Sequence, residues 1–190
     1  MLYDASGNRK YLTIRERRRF IEIARHRAPD VETFCLTLVY TGARISEVLA
    51  LKATNIDRAA GIIVFESLKK RRRGVYRQVP VPRELLQRLN ASHDLGHADP
   101  AMKLWHWSRT TAWKRVKEVM HEAGIPLFCA MPKALRHAYG VAGVSEARVP
   151  LNMMQKWLGH ARIETTAIYA NAVGQEERAI ASRMWSGWAK

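Results

Sequence analysis

Two arginines, a histidine and a tyrosine stand in separate short blocks of this chain. Arg44 lies in T-G-A-R-I-S-E, Arg136 in L-R-H and His160 in L-G-H, and Tyr169 follows His160 by nine positions. Attack on a phosphodiester spreads negative charge over the non-bridging oxygens of the phosphate. Guanidinium groups suit that charge because they stay protonated and donate paired hydrogen bonds, and a tyrosine hydroxyl can act as a nucleophile. The set predicts cleavage of a phosphodiester by a protein side chain.

The charge of the chain favours a nucleic-acid partner. Its 32 Lys and Arg outnumber its 17 Asp and Glu, which gives a formal charge of +15 and a pI near 10.4. Such an excess attracts phosphate and makes binding depend on salt. The alternative from charge alone is a ribosomal or merely basic protein, and the four side chains above favour double-stranded DNA.

Length and composition limit the classes that need considering. A chain of 190 residues with 47% hydrophobic content can bury one core, so we expect one domain. Cys35 and Cys129 both have apolar neighbours, which argues against a disulfide framework or a zinc site. No apolar run approaches the roughly 20 residues of a membrane span, and no signal peptide is recognisable. We therefore expect a cytoplasmic protein that does not bind a membrane.

The elements that must position the four residues are mostly helical. Thr13 and Glu16 have the spacing of a capping box, which predicts a first helix there. A second, apolar helix opens at Pro29 and stops at Thr41–Gly42, so that Arg44 falls on the turn before a short third helix. Further helices are predicted from Arg83 to Leu89, from Ser108 to Gly124, and over roughly 133–144, 150–158, 163–171 and 175–188.

One β element is predicted. Residues 61–65 and 75–79 are rich in β-branched and aromatic side chains, and the polar residues 69–74 between them suggest a hairpin. The fold class is therefore mainly α with a small antiparallel β-sheet (α+β).

Three blocks together resemble the catalytic domain of the tyrosine recombinases, the phage integrase family. They are T-G-A-R-I-S-E-V-L-A-L (41–51), P-K-A-L-R-H (132–137), and L-G-H (158–160) followed by T-T-A-I-Y-A (165–170). The resemblance implies the tyrosine recombinase catalytic-domain fold, with one catalytic domain over 1–190, a core of about 12–179 and a tail helix of about 175–188. It also leads us to expect no N-terminal core-binding domain in the chain.

The resemblance assigns roles to the four residues. Arg44 and Arg136 would grip the scissile phosphate from two sides, and His160 would donate to a non-bridging oxygen. Tyr169 would be the nucleophile that attacks phosphorus, expels a 5′-hydroxyl and leaves a 3′-phosphotyrosyl bond. The reaction needs no cofactor and no metal, because the covalent bond keeps the energy of the phosphodiester.

Lys133 departs from the family pattern, which usually has histidine three positions before the second arginine. Lysine has an ordinary pKa near 10.4 and is a poor base, so Lys133 is expected to act as a phosphate clamp. Glu47 is expected to orient Arg44 across one helical turn. His137 is expected to pack and hydrogen-bond inside the fold.

The basic hairpin would supply the proton for the leaving 5′-oxygen. The family takes this proton from a hairpin lysine, for which Lys69 is the first candidate and Lys70 the second. Either lysine could instead only grip the DNA backbone. Lys70 is also included in a DNA-binding set with the hairpin arginines, which we expect to make nonspecific phosphate contacts: Arg71, Arg72, Arg73 and Arg77.

The sequence leaves three functions possible. A site-specific recombinase or integrase is the main interpretation. A type IB topoisomerase would use the same chemistry without synapsis, and a noncatalytic DNA-binding accessory module would use only the charge. We expect a homodimer or homotetramer on DNA, with Trp185 and Trp188 in the core or as an intermolecular anchor.

Overall fold

The computed structural model describes residues 1–66, 74–171 and 181–185, with the side chain of residue 171 left out. Helix α1 (Ile14–Arg25) begins at the predicted capping box, in which Thr13 and Glu16 exchange hydrogen bonds. Helix α2 (Pro29–Thr41) follows and is buried along most of its length. Its left-handed cap at Gly42 turns the chain into the short helix α3 (Ile45–Val48).

The sheet has three antiparallel strands in the order β1 (Ile56–Asp57), β2 (Ile62–Glu66) and β3 (Tyr76–Pro80). The predicted hairpin is confirmed, with Ile63 opposite Val79 and Phe65 opposite Arg77. Strand β1 was not predicted because a two-residue strand carries no readable alternation.

The remaining helices agree with the predicted pattern, with shifted ends. Helix α4 runs over Arg83–His93, α5 over Arg109–Glu122, α6 over Pro132–Val141, α7 over Leu151–Leu158 and α8 over Glu164–Ala167. A π-helical turn, Ala142–Glu146, extends α6, and a 3₁₀ turn, Ile168–Asn171, follows α8. Within the predicted tail helix, residues 181–185 are helical, and the rest of that prediction lies outside the described residues.

Helix α2 is the centre of the packing and makes contacts with α1, α4 and α6. The buried apolar side chains of the described residues form one hydrophobic core, which includes Cys35 and Cys129. No helix in the described part of the chain is long and apolar enough to cross a membrane. The packing brings the end of α2, the first half of α6 and the segment after α7 together, and these carry the predicted site residues.

Candidate active site

The turn that carries Arg44 is fixed by a glycine. Gly42 has φ +61°, and a Cβ there would lie 2.7 Å from the Tyr139 ring and 3.0 Å from Leu158. Only glycine satisfies both the left-handed backbone and this close packing. The turn ends at Arg44, which is the N-cap residue of α3 and has a side chain that is 42% exposed.

Glu47 holds Arg44 from one turn further along α3. Its carboxylate accepts from the Arg44 backbone N–H at 2.8 Å and from Arg44 Nη1 at 2.9 Å, which confirms the predicted contact. Burial acts to raise the pKa of Glu47, but Arg77 and the two Arg44 donors outweigh it and hold that pKa below its usual value. Glu47 is therefore a buried carboxylate that stays charged.

Arg77 requires a correction. Sequence reasoning assigned it to DNA phosphates, whereas β3 turns it inward on the same face as Val79, and only 8% of the residue is exposed. Its guanidinium pairs with Glu47 at 2.7 Å and lies over the Phe65 ring. The physical reason is the period of two in a strand, which places residues 77 and 79 on one face.

Arg136 forms the floor of the site. It is buried, and it donates from Nη1 to the Gly42 carbonyl and from Nη2 to the Leu158 carbonyl, both at 2.7 Å. Burial, reinforced by the charge of Arg44, lowers the pKa of Arg136 to about 10. A guanidinium has five N–H donors, so these two backbone contacts leave donors for an anion. Such an anion would restore part of the solvation that burial removes.

His160 follows the left-handed cap of α7 at Gly159. Its Nδ1 lies 2.9 Å from the Thr166 hydroxyl, and its ring stacks on the Tyr169 ring with 6.2 Å between centroids and 17° between planes. The stacking on Tyr169 and the hydrogen bond to Thr166 hold the imidazole beside the tyrosine.

Tyr169 is almost fully buried against α6. Its ring lies over Gly140, where a Cβ would be 2.5 Å from Cε2 and Cζ of the ring. Its hydroxyl lies 3.3 Å from Nδ1 of His137. Burial raises the pKa of Tyr169, and the nearby Arg136 and Arg44 partly offset that rise.

Burial, with help from Lys133 and Arg136, lowers the pKa of His137 to about 4, so His137 is neutral at pH 7.

One cavity of about 740 Å³ joins these side chains. Five of the six predicted catalytic residues line it: Arg44, Lys133, Arg136, His160 and Tyr169. Lys133 is exposed at its edge. The sixth, Lys69, lies outside the described residues, as do Lys70, Arg71, Arg72 and Arg73.

Arg109, Trp113 and Arg162 also line the cavity and were not among the predicted site residues. Arg109 and Trp113 are exposed on the first turns of α5, and Arg162 is exposed in the loop after His160. The cap at Ser108 placed Arg109 at a helix start, but no local signal told which helix faces α6. The cavity thus has a larger cationic rim than was predicted.

The arrangement suits an anion. Four cations border the cavity in addition to Arg136, and among the described residues no group of three or more His, Cys, Asp or Glu could hold a metal ion. Fixed guanidinium donors beside a buried phenol are the groups that cleavage of a phosphodiester by tyrosine requires.

Comparisons with known proteins show which proteins the chain is similar to. The phage integrase family model matches residues 10–176. Tyrosine recombinase XerD of Mycobacterium leprae (strain TN) is 30% identical over 168 residues, which cover 80% of this chain and 50% of that protein. The chain thus spans about half the length of this relative.

Solved structures share the fold. The crystal structure of XerA recombinase has a TM-score of 0.77 and 25% identity, covering 95% of this chain and 65% of that one. XerH site-specific recombinase, bound to palindromic difH substrate in a post-cleavage complex, has a TM-score of 0.77 at 20% identity and covers 96% of this chain and 56% of that one. The family match extends over most of the sequence and includes every described catalytic candidate. The chain belongs to the phage integrase family.

Proposed function

We propose that this chain is the catalytic domain of a site-specific DNA recombinase, which cuts and rejoins DNA strands through a 3′-phosphotyrosyl intermediate. The observation that carries the proposal is the single cavity shared by Arg44, Arg136, His160 and Tyr169. Family membership supports the reaction type. The domain is proposed to extend over 1–190, with a core of about 12–179.

In the proposed cleavage step, the Tyr169 oxygen attacks phosphorus and its proton passes to solvent water. The bond between phosphorus and the 5′-oxygen breaks, and that oxygen leaves as a hydroxyl after receiving a proton from Lys69. Rejoining reverses these transfers with the 5′-hydroxyl of another strand. No nucleotide cofactor and no metal take part.

The cations act on the non-bridging oxygens. Arg44 reaches them from the exposed rim, and Arg136 reaches them from the floor, where its two backbone contacts fix the plane of the guanidinium. Donors fixed in advance stabilise the pentacovalent state without reorganising during the reaction. His160 also donates to a non-bridging oxygen, and Lys133 adds a positive charge at the edge of the cavity.

We propose that Tyr169 works in cis. Its ring stacks on His160, packs on Gly140 of α6 and borders the same cavity as both arginines of the same molecule. The hydroxyl contact with His137 holds the phenol at the wall of the cavity.

The proposed partner is double-stranded DNA, bound by a homodimer or homotetramer. The charge of +15 supports DNA binding. Assembly is supported by exposed Met184 and Trp185 on the tail, together with a cavity of about 340 Å³ between α1, α2 and the π-helical turn. That cavity has mostly apolar walls, and the tail of a second copy is its proposed occupant. The two buried, unpaired cysteines fit a reducing, cytoplasmic location.

A suicide substrate tests the proposal. Nicked duplexes covering the DNA that flanks the encoding gene would trap the covalent complex, because the short strand beyond the nick diffuses away after cleavage. A recombinase forms an adduct that depends on Tyr169 and yields recombinant products from two sites. Relaxation of supercoils without recombinants indicates a topoisomerase, and binding without an adduct at every duplex indicates an accessory module.

A further inference from the structure

Arg77 makes contacts with two segments that carry site residues. Its Nη2 and Nη1 donate to the two Glu47 oxygens at 2.7 and 3.3 Å, and its Nε donates to the Trp157 carbonyl at 2.9 Å. All three kinds of guanidinium nitrogen are therefore engaged inside the protein.

The first contact reaches Arg44 through Glu47. Glu47 shares one oxygen between Arg77 Nη1 and Arg44 Nη1, and the other between Arg77 Nη2 and the Arg44 backbone N–H. The side chain of Glu47 is 2% exposed, so its hydrogen bonds come from protein groups and not from bulk water. Without Arg77, the carboxylate would depend on Arg44 alone and would draw its guanidinium inward, away from the cavity.

The second contact reaches His160 through the end of α7. Arg77 holds the Trp157 carbonyl, and Arg136 holds the next one, Leu158, at 2.7 Å. A Cβ on Gly159 would lie 3.0 Å from Cδ of Arg77, so the turn into His160 packs directly on the arginine stem. Two guanidinium groups from different elements thus fix consecutive carbonyls just before His160.

We propose that Arg77 is a positioning residue for the phosphodiester chemistry, setting Arg44 through Glu47 and His160 through Trp157. The inference rests on the proposed function, because the groups that it positions are the proposed phosphate ligands. Arg77 itself does not touch the phosphate. Its loss should slow cleavage of bound DNA while leaving DNA affinity, which depends on many exposed cations, almost unchanged.

The chain offers a matched control in Arg9. Arg9 also binds a buried carboxylate with two nitrogens, Glu16 at 2.6 and 2.8 Å, and donates to a backbone carbonyl, that of Tyr11. It also lies over an aromatic ring, that of Phe128. Arg9 does not line the active-site cavity, so Arg9→Lys reports the structural cost of such a pair without the proposed effect on Arg44 and His160.

The experiment compares Arg77→Lys with Arg9→Lys. Lysine keeps the charge but has one nitrogen, so it cannot serve Glu47 and the Trp157 carbonyl together. We expect single-turnover cleavage of a bound suicide duplex to fall by about 100-fold for Arg77→Lys, the effect of roughly 1 Å of misplacement. For Arg9→Lys we expect the wild-type rate. The double variant Arg77→Met/Glu47→Met, which removes both buried charges, should fold and remain slow.

Two readouts separate positioning from a general structural defect. On a duplex whose scissile phosphate is a neutral methylphosphonate, the Arg77→Lys deficit should shrink by about tenfold or more, because the cations then have less charge to stabilise. Orthovanadate, a phosphate analogue that accepts a fifth ligand, should bind about tenfold more weakly to Arg77→Lys and normally to Arg9→Lys.

Wild-type cleavage and wild-type vanadate affinity in Arg77→Lys would overturn the inference, as would equal deficits on phosphate and methylphosphonate. If the wild-type chain forms no adduct on any duplex while Arg77→Lys still loses vanadate affinity, the proposed function fails and the positioning of the cations by Arg77 stands.

Discussion

Gly140→Ala adds a single methyl group, which should displace the Tyr169 ring. The added Cβ would lie 2.5 Å from Cε2 and Cζ of Tyr169, whereas unbonded carbons rest at about 3.5–4.0 Å. The ring must therefore move by about 1 Å, or α6 must move away from it by that distance. A displacement of this size is expected to reduce cleavage by about 100-fold.

The stability change has two opposing parts. Alanine in place of a glycine inside a helix adds about 1 kcal/mol of stability, and forcing a methyl group into a packed site costs about 1–3 kcal/mol. Gly140→Ala should therefore lower the free energy of unfolding by about 0–2 kcal/mol in total. In a Tyr169→Ala background the obstacle is gone, and the same change should raise that free energy by about 1 kcal/mol.

The assay is a double-mutant cycle by urea unfolding, together with single-turnover adduct formation. Gly96→Ala is the control, because nothing lies within 4 Å of its Cβ position. Adduct formation by Gly140→Ala at the wild-type rate would rule out this displacement, as would an effect on unfolding of the same sign and size with and without the Tyr169 ring.

Two further predictions concern α6. Lys133→His should preserve or raise the cleavage rate, because imidazole can donate to phosphate and also accept a proton; a collapse in the single-turnover rate would show that lysine is specifically required. His137 has a folded-state pKa of about 4 against an ordinary 6.5, so the unfolded chain binds its proton more tightly. The contribution of neutral His137 to stability is complete above pH 6.5 and is lost as the pH falls toward 4, by about 2 kcal/mol between pH 8 and pH 5. His137→Gln should remove that part of the pH dependence in urea unfolding, and an unchanged slope would contradict the buried neutral state.

Most of the fold could be predicted from the sequence because the patterns that indicate its helices and strands are local. The capping box at Thr13, the apolar period of α2 and the hairpin around β2 and β3 each lie within a short window. The ends of α6 and α8 were not predicted, because the chain continues after them as a π-helical turn and a 3₁₀ turn, which local sequence patterns do not separate from an α-helix. Local propensity does not contain that information.

The candidate site was predictable as a set of residues and not as a set of contacts. The blocks around Arg44, Arg136 and Tyr169 named the residues, but nothing in the sequence joined Arg109 or Arg162 to the same cavity. The error at Arg77 had an available signal. Alternation along β3 places it on the face of buried Val79, and an inward arginine requires a buried anion, which Glu47 supplies.

The role of Gly140 was also missed. The sequence shows a glycine inside a helix, which ordinarily weakens the helix. Only the structure reveals that the absent side chain makes room for the Tyr169 ring. Contacts between residues far apart in the chain carry this kind of information, and a single sequence does not.

In the proposed reaction, the oxygen of Tyr169 becomes bonded to phosphorus. The most direct test is digestion of the trapped protein–DNA complex followed by mass spectrometry of the tyrosine-containing peptide, for the wild-type chain and for Tyr169→Phe at equal occupancy of DNA. We expect a nucleotide attached to Tyr169 in the wild-type chain, and for Tyr169→Phe unchanged DNA affinity with no adduct. An adduct in Tyr169→Phe, or a nucleotide mapped to another side chain, would contradict it.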